Sequence, residues 1–311
     1  MAASQKFRLL TRSDFDGLVC AALLRELDLI DEIVFVHPKD MQDGKVEVSH
    51  RDITANVPFH SNVHLAFDHH TSETRRVGVG HKNHVIDPKA PSTARVIYKH
   101  LGGKAQFKRI PDDLMAAVDQ SDSAQFSREE ILNPSGWALL DFVMDPRTGL
   151  GRFKTFRVSN YELMMMLIDA CRELSIDQIL NLPDVKERVD LYLSHRDKFQ
   201  EQLIRCGALN GKLVVLDLLR EDMIYVGNRF VLYALFPESN ISMHVLWGVR
   251  KQNTVFAVGK SVLNRTSRVN VGQLLLEYGG GGHEAAGTCQ IPNDDAARVK
   301  AELIEKITAN G

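Results

Sequence analysis

Residues 7–27 read FRLLTRSDFDGLVCAALLREL, and the order of their parts decides the fold class. Residues 7–11 form a short apolar run suited to a buried strand, and residues 18–27 carry the three- and four-residue apolar spacing of a helix. Two more short runs rich in β-branched or aromatic residues, 32–37 and 63–67, follow with helical spacing between them. Strands that alternate with helices build a parallel sheet, so an α/β fold is expected. Residues 92–101, 111–118, 137–144 and 160–174 extend the helical pattern.

Farther along, residues 184–206 form a polar, charge-rich helix with few breakers, read as a connector. After Gly211 the alternation restarts: KLVVLD predicts a strand, FVLYALF a helix, and ISMHVLWGVR and TVFAVGKSV two strands. DDAARVKAELIEKITAN predicts a closing amphipathic helix. The expected organisation is a first domain over 1–183, a connector over 184–208 and a smaller α/β domain over 209–311.

The composition fits this plan. A chain of 311 residues, 44% hydrophobic and 25% charged, has enough apolar residues for a core and is neither disordered nor collagenous. With 38 basic and 40 acidic residues the net charge is −2, so no global field recruits a polyanion or a membrane, and any anionic partner must be caught by a local patch. Four cysteines without a CxxC pair argue against a structural zinc site or a disulfide framework and for a reducing, cytoplasmic setting. No apolar run is long enough for secretion or for crossing a membrane.

The chemistry sits at strand ends. Asp14 and Asp16 directly follow the first strand, at the carboxyl edge where open α/β sheets hold ligands. Two aspartates one residue apart there can each hold a metal ion, although an aspartate before a helix also serves as an N-cap. Asp68, His69 and His70 close the run VHLAF. Adjacent histidines there can divide metal binding from contact with substrate, or the triplet can simply cap a helix. Asp52 is read as closing the run VEVS, and Asp122 follows a helix with Asp119 three residues earlier. Taken singly, these are ordinary turn or capping residues.

Asp14-Phe15-Asp16-Gly17, Asp52, Asp68-His69-His70 and Asp122-Ser123-Ala124-Gln125-Phe126 resemble, in order and spacing, the four motifs of the DHH phosphoesterase superfamily. Within it the chain looks most like the exopolyphosphatase-related and nanoRNase-like group. The resemblance implies that Asp14 and Asp52 bind a first metal and that Asp16, Asp52, His69 and Asp122 bind a second, with Asp52 bridging. It also implies that Asp68 orients a histidine and that His70 meets the scissile phosphate or the leaving oxygen. Asp122 aligns better than Asp119 with the fourth motif. One position departs from the pattern. Members place a metal-binding histidine two or four residues before the first aspartate, where this chain has Arg12 and Leu10. A guanidinium cannot ligate a cation, so one or two ions remain open, and Arg12 is a candidate for holding substrate phosphate.

Four glycines, 279–282, precede His283. Such a run can be a flexible loop or can expose backbone amides as a phosphate cradle. No Asp or Glu occurs over residues 239–276, whereas Arg250, Lys251, Lys260, Arg265 and Arg268 do, making a local electropositive stretch. The stretch GGGGHEAAG, residues 279–287, resembles the substrate-binding signature of the DHH-associated C-terminal domain. This implies that Gly281, Gly282, His283 and Arg265 hold a phosphate or nucleotide, with the active site in a cleft between the domains.

The expected activity is metal-dependent hydrolysis of phosphodiester or phosphoanhydride bonds. Mn²⁺ is the first candidate cofactor, with Mg²⁺ or Co²⁺ as alternatives. A short oligonucleotide, a dinucleotide or polyphosphate is the expected substrate, and a homodimer is possible. The other reading is a phosphate- or nucleotide-binding regulatory protein with weakened catalysis.

Overall fold

The computed structural model describes residues 6–310, so the opening five residues, part of the segment read above as too short an apolar run for secretion, lie outside it. The chain divides into two compact units. One contains the described residues through Gln125 with Ser135–Pro146 and Gly151–Asp190, and the other contains Phe126–Pro134, Arg147–Leu150 and Leu191–Gly311.

The first unit holds strands β1 (Phe7–Thr11), β2 (Ile30–Phe35), β3 (Asp52–Ala55), β4 (Leu65–Asp68) and β5 (His84–Ile86), in the order β2-β1-β3-β4-β5. Every pairing is parallel. The chain leaves β1 for β2 on one side and returns to β3 on the other, so the carboxyl ends of β1 and β3 flank a topological switch point, the place where such sheets bind ligands. The helix Phe15–Glu26 runs from that edge. Its residues 15–24 are all buried, which explains why its sequence is apolar on every side instead of amphipathic.

Two strand readings need correction. VEVS is irregular backbone, and Asp52 opens β3 rather than closing a strand. The strand is the short, wholly buried DITA, and a central parallel strand of that kind carries no alternation to mark its ends. β2 ends at Phe35, so His37 caps the helix Pro38–Gln42 by accepting from the Lys39 amide at 3.2 Å.

The second unit carries β6 (Gly207–Asn210), β7 (Leu213–Asp217), β8 (Ile241–Trp247), β9 (Thr254–Lys260), β10 (Gly281–Gly282) and β11 (Ala286–Ile291). Their order is β10-β11-β9-β8-β7-β6, with only β7 and β8 parallel. Ile241, Met243 and Val245 alternate into a core shared with Leu303 and Ile307 of the final helix, Ala296–Asn310. Among the described residues no helix is long and apolar enough to cross a membrane.

Candidate active site

The turn after β1 is shaped by its own side chains. Asp14 has extended backbone angles and caps the helix Phe15–Glu26, accepting from the Gly17 amide at 2.9 Å. Its Oδ2 lies 3.0 Å from Arg12 Nε. Gly17 is required here, because a Cβ at that position would sit 2.0 Å from the Arg12 carbonyl oxygen. Asp16 is buried, and its carboxylate accepts from the Thr93 amide at 3.0 Å and the Ala94 amide at 2.8 Å. These are the first amides of the helix Thr93–His100, whose positive end favours an anion. Burial, and then the charge of Asp122, pushes the Asp16 carboxyl up to about 7, with His69 opposing the rise.

At the end of β4, Asp68 is buried and organises both histidines. Its Oδ1 accepts from the His69 amide at 2.7 Å and the His70 amide at 3.1 Å, and it lies 2.7 Å from His70 Nδ1. Burial disfavours the His70 cation, but the hydrogen bond and charge of Asp68 outweigh it, so the His70 pKa is raised. His69 Nδ1 lies 3.1 Å from the Ala90 carbonyl oxygen, which can only accept, so Nδ1 carries the proton and Nε2 is the ligand atom of the neutral ring.

That Nε2 lies 2.8 Å from Asp122 Oδ2, yet the contact lacks the alignment of a hydrogen bond. Asp16, His69 and Asp122 each offer one donor atom, all within 4.8 Å of one another. An ion held by bonds of ~2.1 Å keeps its donors within roughly 4.2 Å of each other, slightly less than this spread. The three residues therefore fit a divalent cation. Without one, burial lowers the His69 pKa but Asp122 and Asp16 more than reverse this, raising it to about 9. A proton on His69 then partly balances the two carboxylates.

Asp52 lies elsewhere. It faces Arg8 across the β1–β3 register, accepting from Nε at 2.7 Å and Nη2 at 3.0 Å, and it accepts from the Ser49 amide at 2.6 Å. Three residues of β3, about 10 Å, separate it from the carboxyl edge, so it cannot bridge ions there. The residue that follows β3 at that edge is Asn56, which the sequence reading missed. Asn56 has φ 59°, and its Nδ2 donates to Asp14 Oδ1 at 3.0 Å. The signal is present in the residue type, because asparagine is among the few side chains that tolerate this left-handed turn, but nothing local marks where the short buried strand ends. Asp119 is also accounted for, held by Arg95 Nε at 2.8 Å and Ser92 Oγ at 2.8 Å, while Asp122 joins the cluster.

In the second unit the glycine run is not an open cradle. The Gly279 and Gly280 amides donate to the Leu276 and Leu275 carbonyls, capping the helix Val271–Leu276, and the His283 amide donates to Ala286. Gly281 and Gly282 pair as β10 with Thr288 and Gly287 of β11. Glycine is needed at 282, where φ is 155° and a Cβ would meet the Ala286 carbonyl oxygen at 2.3 Å. His283 and Arg265 are exposed, with Arg265 Nε donating to the Val262 carbonyl at 3.0 Å. Lys260 pairs with Glu284 at 3.2 Å, which offsets part of the local positive charge.

Neither protein-family profiles nor curated proteins give a match to this chain. Solved structures do. The pGpG-specific phosphodiesterase PggH from Vibrio cholerae is 57% identical, with 98% of this chain and 100% of that chain covered and a TM-score of 0.88. RecJ from Thermus thermophilus, solved in complex with Mn²⁺, is 14% identical, with 99% of this chain and 53% of that chain covered and a TM-score of 0.56, a likeness of fold. The motifs that follow β1 and β4, the two-sheet architecture and the identity to PggH over nearly all of both chains lead to one assignment: the chain belongs to the DHH phosphoesterase superfamily.

Proposed function

We propose that this chain hydrolyses a phosphodiester bond in a short linear nucleotide, and that its substrate is a dinucleotide with a 5′-phosphate, of the pGpG kind. One observation carries the reading: Asp16, His69 and Asp122 converge at the sheet's carboxyl edge in a chain 57% identical, along its whole length, to a pGpG-specific phosphodiesterase.

Asp16, His69 and Asp122 would hold the divalent cation, and their mixed oxygen and imidazole donors suit Mn²⁺, with Mg²⁺ or Co²⁺ next. When bound, that cation polarises the phosphoryl group and lowers the pKa of water. His70 supplies the proton: Asp68 fixes Nδ1 and favours the protonated ring, from which Nε2 can donate to the departing oxygen. Arg12 meets a phosphoryl oxygen. In the second unit, Arg265 and His283 contribute charge and hydrogen bonds to a remote phosphate or base, and Gly281 and Gly282 keep that surface free of side chains. All four cysteines are free and three are buried, in keeping with a reducing cytoplasm.

The test is a substrate panel of pGpG, pApA, polyphosphate and bis-p-nitrophenyl phosphate, assayed with Mn²⁺, Mg²⁺ and Co²⁺. Fastest turnover of pGpG is expected. Binding of pGpG without hydrolysis of any substrate would favour the regulatory reading, and fastest turnover of polyphosphate would move the substrate class to phosphoanhydrides.

A further inference from the structure

We propose that this active site takes one divalent cation per chain, because Arg12 and Asn56 convert the place of a second ion into a fixed organic cation. The inference rests on the metal-dependent reading above and concerns how many ions that reading needs.

The switch point between β1 and β3 has two halves. One contains Asp16, His69 and Asp122, with two carboxylates and an imidazole nitrogen suited to a cation. The other contains Arg12, Asp14 and Asn56. Here Asp14 is the sole anion and is already held from three sides, by Arg12 Nε at 3.0 Å, Asn56 Nδ2 at 3.0 Å and the Gly17 amide at 2.9 Å. Arg12 has no lone pair for a metal, and its charge repels a dication at contact distance. Leu10, the other position where the family places a histidine, is 1% exposed in the core and has no donor atom.

Asn56 completes the exclusion. The end of β3 is where a carboxylate would face both halves, and the chain places a neutral amide there instead. Its Oδ1 is buried without a hydrogen-bond partner, so it adds an acceptor but no charge. The Arg12–Asp14–Asn56 group is thus formally neutral, whereas the neighbouring half carries the negative charge that attracts a dication.

This arrangement also has a use. A guanidinium presents its N–H donors in a planar fork that matches phosphate oxygens. With Nε engaged by Asp14, the outer nitrogens of the partly exposed Arg12 can face a phosphoryl oxygen. The positive charge that a second ion would bring is then permanent and independent of ion concentration.

The experiment counts ions. Purified protein carrying both units is equilibrated with Mn²⁺, and bound manganese is measured by elemental analysis and by electron paramagnetic resonance. One Mn²⁺ per chain with the spectrum of an isolated ion is expected, since two ions about 3.5–4 Å apart would be magnetically coupled. Asp14→Asn, which keeps a competent N-cap, should leave that count unchanged, while Asp16→Asn should weaken Mn²⁺ binding by more than about a hundredfold, beyond what losing an outer partner does. Two ions in the wild-type protein, or an ion lost on Asp14→Asn, would overturn the inference. Two ions with intact pGpG hydrolysis would overturn it alone, and absence of any bound Mn²⁺ would overturn the metal-dependent reading with it.

Discussion

Asn56 and Asp14, 42 residues apart in sequence, are joined by a 3.0 Å hydrogen bond from Asn56 Nδ2 to Asp14 Oδ1. The bond ties the carboxyl end of β3 to the cap that starts the helix after β1, so the two strands flanking the switch point are locked together at the site. Asn56 pays with a left-handed backbone, φ 59°, that few side chains accept.

That geometry separates two contributions at one position. Asn56→Ala should lower stability by about 1–3 kcal/mol through backbone strain and the lost bond. Asn56→Gly should recover the strain part but not the hydrogen bond. Thermal denaturation of both variants checks this; equal losses would show that strain plays no part.

Metal binding should release a proton. His69 has its pKa raised to about 9, and Nε2 must be bare to ligate. Between pH 7.5 and 8.5, above the raised Asp16 value and below that of His69, Mn²⁺ affinity should therefore increase about tenfold per pH unit. Calorimetry in two buffers of different ionisation enthalpy measures the released proton directly, and a pH-independent affinity would count against His69 as a ligand.

His70 should act as an acid whose pKa depends on Asp68. Because Asp68 raises that pKa, Asp68→Asn should lower it, and activity should fall away at a lower pH on the alkaline limb of the profile. His70→Gln should reduce kcat by about 10²–10⁴ with a smaller effect on KM. A profile unmoved by Asp68→Asn would argue for a purely structural carboxylate.

Asp52 should matter to folding and not to metal. Its Arg8 partner is partly exposed, so Asp52→Asn should cost about 1–3 kcal/mol, less than a wholly buried pair. Although burial opposes it, Arg8 and the Ser49 amide hold the Asp52 pKa below its ordinary value. The stabilisation is thus complete above about pH 4 and disappears as pH falls through the lower folded value. Mn²⁺ content measured alongside denaturation distinguishes this role from that of a bridging ligand.

His84 gives the opposite dependence. Its ring stacks on Phe59 at 4.4 Å with both nitrogens unpartnered, and burial lowers its pKa. The unfolded chain therefore takes up a proton first, and stability should fall as pH drops below about 6.5. His84→Phe should reduce that loss, read as a smaller change in denaturation midpoint between pH 7 and pH 5 than in the wild type.

The α/β alternation and the chemistry at the ends of β1 and β4 were legible in the chain's residue order, because hydrophobic period and neighbouring residue types are local properties. Asp14-Phe15-Asp16-Gly17 and Asp68-His69-His70 stand directly after their strands, and Arg12 was visible as a residue that cannot bind metal. Which distant residues share the site was settled by strand pairing and packing alone. Asp52 opens a strand without alternation and Asn56 follows its end, and only pairing with β1 reveals that Asp52 faces Arg8 at one edge while Asn56 reaches Asp14 at the other. Asp119 and Asp122, nearly indistinguishable in sequence, are separated by Arg95, which claims the first and leaves the second to His69. In the glycine run, residue type allowed either a cradle or a cap, and the helix carbonyls in need of donors selected the cap.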